Sequence, residues 1–414
     1  MSAVSTVKIQ EVAGGVTAPK GFRAAGVACG IKRRNPSLPA PLDLALIVAD
    51  GPVPAAAVFT TNKAVAAPVV VSRDHLSRTG GRAAAVVVNA GCANACTGEA
   101  GLEVARQMAA AAAGAAGCAP DQVLVASTGV IGVPLSIEKV RTGVMAAAAT
   151  LGTAGSDAAM RAIMTTDPFP KSRSVSVQTA GGKTFTVGGI AKGSGMIEPR
   201  MATMLGFMTT DAAVEPAILQ TALARVCDET FNAITVDGEC STNDCVFLLA
   251  SGASGVAIDR DDDPALIEGL RAVAGHLARE IVRGGEGATK LVTVQITGAA
   301  TRGDAWLAAR TIANSPLVKT ALHGGDPNWG RLVAAAGRSG AAFVLDKASV
   351  AIGPVQVFVA GVPHDDRADQ AAEVLKDTEI TVSVDLGAGG SHSARMWTCD
   401  FSEEYVKINA EYRT

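Results

Sequence analysis

The stretch Lys192-Gly193-Ser194-Gly195-Met196-Ile197-Glu198-Pro199-Arg200-Met201-Ala202-Thr203-Met204-Leu205-Gly206-Phe207 sits close to the middle of a 414-residue chain. It begins glycine-rich, stiffens at Pro199, and becomes apolar and strand-like from Met204. Where its character changes stands Ala202-Thr203, a small residue followed by a hydroxyl. That order suits a chain that cuts itself between the two. A threonine hydroxyl is a poor nucleophile near neutral pH and needs a base beside it. The amide nitrogen of an internal threonine cannot serve. An N-terminal threonine carries an α-amine of pKa about 7.7–8.0, near working pH. Attack of the Thr203 hydroxyl on the Ala202 carbonyl gives an ester. Hydrolysis of that ester leaves nucleophile and base on one residue. Gly193 and Gly195 admit the backbone angles that a strained scissile turn asks for. On local composition alone, the commoner arrangement is a glycine loop between two strands, with Thr203 opening the second.

Working outward, hydrophobic residues make up 48% of the chain, and alanine supplies much of that. The positive mean hydropathy therefore does not imply a membrane. The richest run, Val104 to Cys118, is broken by Arg106, Gln107 and two glycines and falls short of a spanning helix. Met1 to Lys20 has neither an apolar signal core nor an Arg-rich transit pattern, so a cytosolic protein is expected. The net charge of −3 gives no electrostatic case for nucleic acid. Eight cysteines are scattered without a Cys-x-x-Cys pair and read as reduced thiols. Cys92 with Cys96, and Cys240 with Cys245, are spaced like metal pairs, but no histidine clusters with them. No metal is expected.

The first part, Gly21 to Asn89, reads mainly as strands: Asp43 to Asp50, Ala55 to Thr60, Pro68 to Ser72 and Ala83 to Asn89. A helix follows from about Glu99 to Ala116. A strand, Gln122 to Ala126, then delivers Ser127-Thr128-Gly129. Ser136 and Ser156 read as helix caps. Ser174 to Thr179 and Thr184 to Ile190 form a hairpin. Beyond the central stretch come a strand to Thr210, a helix from Glu215 to about Glu229 and a polar loop, Asp237 to Asp244, before the strand Val246 to Ala250. Asp263-Pro264 opens a long helix ending near Gly284-Gly285. Strands at Leu291 to Thr297, Val355 to Val359, Glu379 to Leu386 and Arg395 to Phe401 precede a helical tail, Ser402 to Tyr412; another helix opens at Ser315-Pro316. Strands and helices alternate irregularly. The expected class is α/β (α+β), layered mixed sheets with helices, not a doubly wound nucleotide fold. Gly182-Lys183-Thr184 ends like a phosphate loop, but Val177 stands where its first glycine belongs. In Gly387-Ala388-Gly389-Gly390, His392 occupies the third glycine position of a dinucleotide motif.

Several residues fit acyl transfer. Such chemistry needs donors aimed at a developing oxyanion. Thr128-Gly129, at a strand end, offers a hydroxyl and an unhindered N–H; an ordinary strand-to-loop turn has the same sequence. Lys192 on the glycine arm and Thr166 in Thr165-Thr166-Asp167 can meet a carboxylate, although a solvated lysine and a helix-terminal turn are the plainer readings. Glu286, alone between glycines, can meet an ammonium group or order a water, or can simply be a solvated loop acid.

The run from Lys192 to Leu205 resembles the self-cleavage signature Lys-Gly-Ser-Gly-Met-Ile-x-Pro-x-Met-Ala-Thr-Met-Leu of the ArgJ family. These are the ornithine acetyltransferases (glutamate N-acetyltransferases) of arginine biosynthesis. The resemblance implies an ArgJ/DmpA-like fold cut into interleaved fragments. Residues 1–202 would carry the oxyanion-hole loop, and 203–414 would begin with the nucleophile Thr203. It assigns the oxyanion hole to Thr128 and Gly129 and substrate contacts to Thr166, Lys192, Thr203, Glu286, Asn409 and Thr414. The last two, in the ending Asn-Ala-Glu-Tyr-Arg-Thr, fold back to the substrate in the family. Asp326-Pro327-Asn328-Trp329-Gly330-Arg331 also resembles a family motif and is read as a buried, hydrogen-bonded wall of the site. The implied reaction moves acetyl from N2-acetyl-L-ornithine to L-glutamate through an acetyl-threonine. It needs no cofactor; acetyl-CoA is a donor for some members. The implied assembly is a heterotetramer of two N-terminal and two C-terminal fragments. Cys92 and Arg200 depart from the family pattern, which commonly has Asn at the first position and often Asn or Ser at the second. Two rivals remain. A self-processing aminopeptidase or amidohydrolase of related architecture would pass the acyl group to water. A non-catalytic amino-acid-binding or scaffold protein would stay uncut.

Overall fold

The apolar run after the proposed cut forms the strand Leu205–Thr210, buried along its whole length. Leu205 and Phe207 enter one apolar layer, while Met204 and Met208 enter another. Alternate side chains of a strand point to opposite faces, so a strand covered on both sides reads as a continuous apolar run. The strand pairs antiparallel with Thr184–Lys192 and parallel with Cys245–Ala250. The computed structural model describes residues 7–33, 35–198 and 204–411. Arg200, Ala202, Thr203 and Thr414 lie outside the described residues.

Among the described residues, nine strands form one mixed sheet. Its order is Lys8–Glu11, Lys171–Gln178, Thr184–Lys192, Leu205–Thr210, Cys245–Ala250, Leu44–Phe59, Arg82–Cys92 and Val123–Val130, with Phe22–Val27 paired to Leu44–Phe59. Six strands form a second sheet, in the order Val362–Pro363, Val355–Val359, Ser349–Ile352, Glu379–Asp385, Leu291–Ala299 and His392–Cys399.

The helix Pro264–Arg283 lies between the two sheets and touches strands of both. Its start is fixed locally: the Asp263 side chain accepts from the N–H groups of Ala265 and Leu266, and Pro264 fills the first turn. Leu266, Leu270, Val273, Leu277 and Ile281 bury one stripe in the shared core. The strand His392–Cys399 serves two cores by the same alternation, with Trp397 and Cys399 in one and Ala394 and Met396 in the other. Helices Gly98–Ala116 and Ile137–Thr150 cover the far end of the larger sheet; Arg302–Ala313 and Trp329–Gly337 cover the smaller one. The result is the layered mixed-sheet architecture expected from the sequence. Among the described residues no helix is long and apolar enough to cross a membrane.

Three local readings are corrected. Pro68 to Ser72, read as a strand, begins the helix Ala67–Arg78. Its β-branched run misled. Val69 and Val71 are buried, and Ser72 and His75 bond to Val125 and Val123 of the sheet, so tertiary packing overrides propensity. Asp43 to Asp50 and Ala55 to Thr60 belong to one long strand, Leu44–Phe59, with a register irregularity between Val48 and Val53. The Asp326–Arg331 motif is not a wall of the cleft described below. Asn328 caps the helix Trp329–Gly337, Trp329 stacks on Phe358 at 5.0 Å, and its indole N–H donates to Asp365 at 3.1 Å. Asp326 is exposed. The motif stabilises the smaller sheet's outer layer.

Candidate active site

Two strand ends place the first wall of a cleft. Thr184–Lys192 terminates at Lys192, in register with Leu205. Val123–Val130 delivers Thr128 and Gly129, the latter opposite Gly91 of the neighbouring parallel strand. Gly129 has φ +125°, and a Cβ there would collide with the Gly91 carbonyl carbon, so the position requires glycine. Both residues line the cleft with Thr166 and Lys192. Lys192 is 3% exposed, and its Nζ donates to Thr128 Oγ1 at 3.2 Å.

Behind this wall lies a carboxylate without solvent exposure. Asp167 Oδ1 accepts from Lys171 Nζ at 2.6 Å and from the Gly193 N–H at 2.7 Å; Oδ2 accepts from the Thr165 N–H at 3.0 Å. Neither side chain of the Asp167–Lys171 pair is exposed. One carboxylate thus ties the turn carrying Thr166 to the arm carrying Lys192. Burial pushes the Asp167 pKa up, but the ammonium groups of Lys192 and Lys171 and the Gly193 N–H outweigh it and hold the group at about 2. Burial pushes the Lys192 pKa down, Asp167, Asp244 and Glu286 oppose that, and Lys171 adds to it.

The second wall is acidic. Glu286, buried, receives Asn409 Nδ2 at 2.9 Å on Oε2. Its N–H donates to Ser194 O at 3.0 Å, and Ser194 Oγ donates to Gly284 O at 2.7 Å, joining the two glycine-rich segments. A Cβ on Gly195 would strike the Glu286 carboxylate. Asp237 accepts from the N–H groups of Met196 (2.6 Å) and Ile197 (2.8 Å) and from the Tyr405 hydroxyl at 3.3 Å. Burial raises the Asp237 pKa against the lowering effect of those amides, and Glu286 raises it further. Tyr405 and Asn409 both come from the tail helix Glu403–Glu411.

The floor is the loop 237–244. Asn243 Nδ2 donates to Ala93 O at 2.6 Å and Ser127 O at 2.9 Å. Asp244 Oδ1 accepts from the Met204 N–H at 3.0 Å; its Oδ2 is buried with no hydrogen-bond partner among the described residues. Burial drives the Asp244 pKa well up.

The cleft therefore brings together Thr128, Gly129, Thr166, Lys192, Glu286 and Asn409. Cys92, buried nearby in sequence, donates its thiol to Val133 O at 3.2 Å. Sequence reasoning did not single out Asp167, Lys171, Asp237, Asn243, Asp244 or Tyr405. One signal was available for the loop: a run of eight polar or small residues, Asp237 to Asp244, immediately before a fully buried strand.

The model of the ArgJ family matches residues 23–414. The chain belongs to the ArgJ family. It is 49% identical over 406 residues to the arginine biosynthesis bifunctional protein ArgJ of Symbiobacterium thermophilum, covering 97% of this chain and 99% of that one. It is 48% identical to the protein of the same name from Chlorobaculum tepidum, with 96% of each chain covered. It is also similar to a crystal structure of the arginine biosynthesis bifunctional protein ArgJ from Bacillus halodurans. There the identity is 41% and the TM-score 0.49, covering 51% of this chain and all of that chain. The family match spans every residue placed in the cleft, on both walls.

Proposed function

We propose that the chain is a self-processing acetyltransferase of arginine biosynthesis, moving acetyl from N2-acetyl-L-ornithine to L-glutamate by a ping-pong route. The observation that carries this reading is the convergence of Thr128, Gly129, Thr166, Lys192, Glu286 and Asn409 on one cleft at the end of the segment that leads to Thr203. The Met204 amide, held by Asp244, places the start of the following strand at the cleft floor. The antiparallel partners Thr184–Lys192 and Leu205–Thr210 would fall on opposite sides of a cut at Ala202/Thr203, so both fragments, 1–202 and 203–414, would share one sheet.

In this account Thr203 Oγ attacks the acetyl carbonyl while its own α-amine takes the hydroxyl proton. The carbonyl oxygen, gaining charge, rests on the Thr128 hydroxyl and the Gly129 N–H. The C–N bond then breaks, the proton passes to the leaving amine, and ornithine departs. The glutamate amine attacks the acetyl-threonine ester, restoring Thr203 and giving N-acetylglutamate. Thr166 and Lys192 suit an anionic substrate group; Glu286, oriented by Asn409, suits a cationic one. Thr414 completes the contacts by family resemblance. The relatives are named bifunctional, and acetyl-CoA serves as a second donor in our reading. A cytoplasmic heterotetramer of two fragments of each kind completes the proposal.

The test is to incubate purified protein with N2-acetylornithine and glutamate. Ornithine and N-acetylglutamate should appear in equal amounts and vanish in Thr203→Ala. Release of acetate at a rate indifferent to glutamate would mean water is the acceptor and the amidohydrolase reading is correct.

A further inference from the structure

The charges behind the first wall do not balance. Asp167 supplies one negative charge, and Lys171 and Lys192 supply two positive ones. The Asp167 carboxylate spends its direct contacts on Lys171, the Gly193 N–H and the Thr165 N–H. Lys192 makes no ion pair among the described residues, and its ammonium donates to the hydroxyl of Thr128. A buried ammonium whose hydrogen-bond partner is a neutral oxygen is costly unless something else uses its charge.

The direction of that hydrogen bond matters. An ammonium has donors and no acceptor. Thr128 Oγ1 must therefore accept from Lys192, which leaves the threonine's own proton to point elsewhere. Without the lysine, the hydroxyl rotor would be free to turn its lone pairs toward the cleft. Gly129 beside it is held by strand pairing opposite Gly91, so the two donors of the pair are placed by separate means.

We propose that Lys192 is a positioning residue for the oxyanion donor Thr128: its ammonium pins the Thr128 oxygen as acceptor, so the hydroxyl proton faces the carbonyl oxygen that gains charge during acetyl transfer. The inference rests on the acetyl-threonine reading above. It gives Lys192 a second role beside the substrate contact proposed above. Clamping holds substrate and transition state alike, whereas aiming a donor at developing charge acts on the transition state.

The charged groups facing Lys192 are Asp167 and Lys171 from the segment behind the wall, Asp244 from the floor, Glu286 from the opposite wall and Lys32 from the loop before Asp43. Burial lowers the Lys192 pKa, so its ammonium loses the proton earlier than an ordinary lysine as pH rises. Transfer should accordingly fade on the alkaline side. Lys32 also titrates there, at about 8, with burial the main cause.

The experiment uses the full-length, self-processed enzyme with two donors, N2-acetylornithine and its α-carboxamide. Lys192→Gln should lower kcat by about 10²-fold, the scale of a lost oxyanion donor, beyond any rise in KM from its substrate contact. The loss in kcat should be the same for both donors. A loss confined to KM, with kcat kept, that disappears with the carboxamide would make Lys192 a carboxylate clamp only and overturn the proposal. Lys192→Arg should keep activity within about tenfold and lack the alkaline fall in kcat, because arginine does not titrate in this range and Lys32 is untouched. An alkaline fall that persists unchanged in Lys192→Arg would also overturn it. If Lys192→Gln does not process itself, the alkaline limb of kcat in Lys192→Arg decides, measured with both donors: its loss supports the proposal and its persistence overturns it. Mass analysis of the unaltered enzyme after donor addition separates the two readings. Absence of acetyl on the C-terminal fragment removes the acetyl-threonine account, and this proposal with it, before any lysine variant is read.

Discussion

The two walls of the cleft are held by different forces. The Thr128–Lys192 wall stands on strand ends of the nine-stranded sheet, with a solvent-free ion pair and a packed core behind it. The Glu286–Asn409 wall stands on a glycine-flanked loop and on the helix Glu403–Glu411, which has no buried residue among those described. The first is fixed by packing, the second by side-chain hydrogen bonds. The difference matches the chemistry proposed. Oxyanion donors act by being already in place when charge develops. A site that exchanges two substrates through one opening gains from a wall that can be released at the cost of a few hydrogen bonds.

The sharpest way to break that contrast is at the ion pair. Asp167→Asn leaves the Lys171 ammonium buried without a counter-charge and should destabilise the fold by about 3–5 kcal/mol, read by denaturant unfolding. A loss below about 1 kcal/mol would mean the wall is not held as described. The pH dependence has a definite sign. Asp167 titrates at about 2 in the folded chain, below the unfolded reference of about 3.9. Its stabilisation is therefore complete above about pH 4 and disappears as pH falls toward 2, where the variant and the unaltered protein should converge.

Next in size is the rigid wall's chemistry. Thr128→Val should cut kcat by about 10²–10³-fold with the fold intact, checked by steady-state kinetics beside thermal melting. On the softer wall, Asn409→Ala removes a hydrogen bond to a carboxylate, a bond of about 1.5–3 kcal/mol. It should lower kcat/KM by about 10–100-fold and lower stability by no more than that one bond, since its helix has no fully buried residue among those described. A large fall in melting temperature would show that the tail belongs to the core after all. The smallest effect lies off the cleft. Trp329→Phe removes the bond to Asp365 and should cost about 1 kcal/mol of stability without altering transfer rates.

The same contrast explains what the sequence disclosed. Strands buried on both faces, such as Leu205–Thr210 and Cys245–Ala250, announce themselves as apolar runs. Capped helices such as Pro264–Arg283 announce their first turn. Lys192 was legible as a cleft residue because it closes such a strand at the head of the long family motif, and Thr128-Gly129 because it ends a strand and matches the family's Thr-Gly pair. Asp167 and Lys171 were not: each is an ordinary charged residue in sequence, and only the fold removes their solvent. Asp244 was hidden for the same reason, its burial being set by strands distant in the chain. The misread helix at Ala67–Arg78 and the misplaced Asp326–Arg331 motif have one cause. Local composition does not say which layer a segment packs against.

The account's central claim is that nucleophile and base become one residue when the chain is cut. The most direct test is the denatured intact mass of freshly purified protein beside Thr203→Ala. The account predicts two fragments that together equal the full chain plus one water, divided at Ala202/Thr203, and a single uncut chain in the variant. A single chain of 41.7 kDa in the unaltered protein, active all the same, would contradict it.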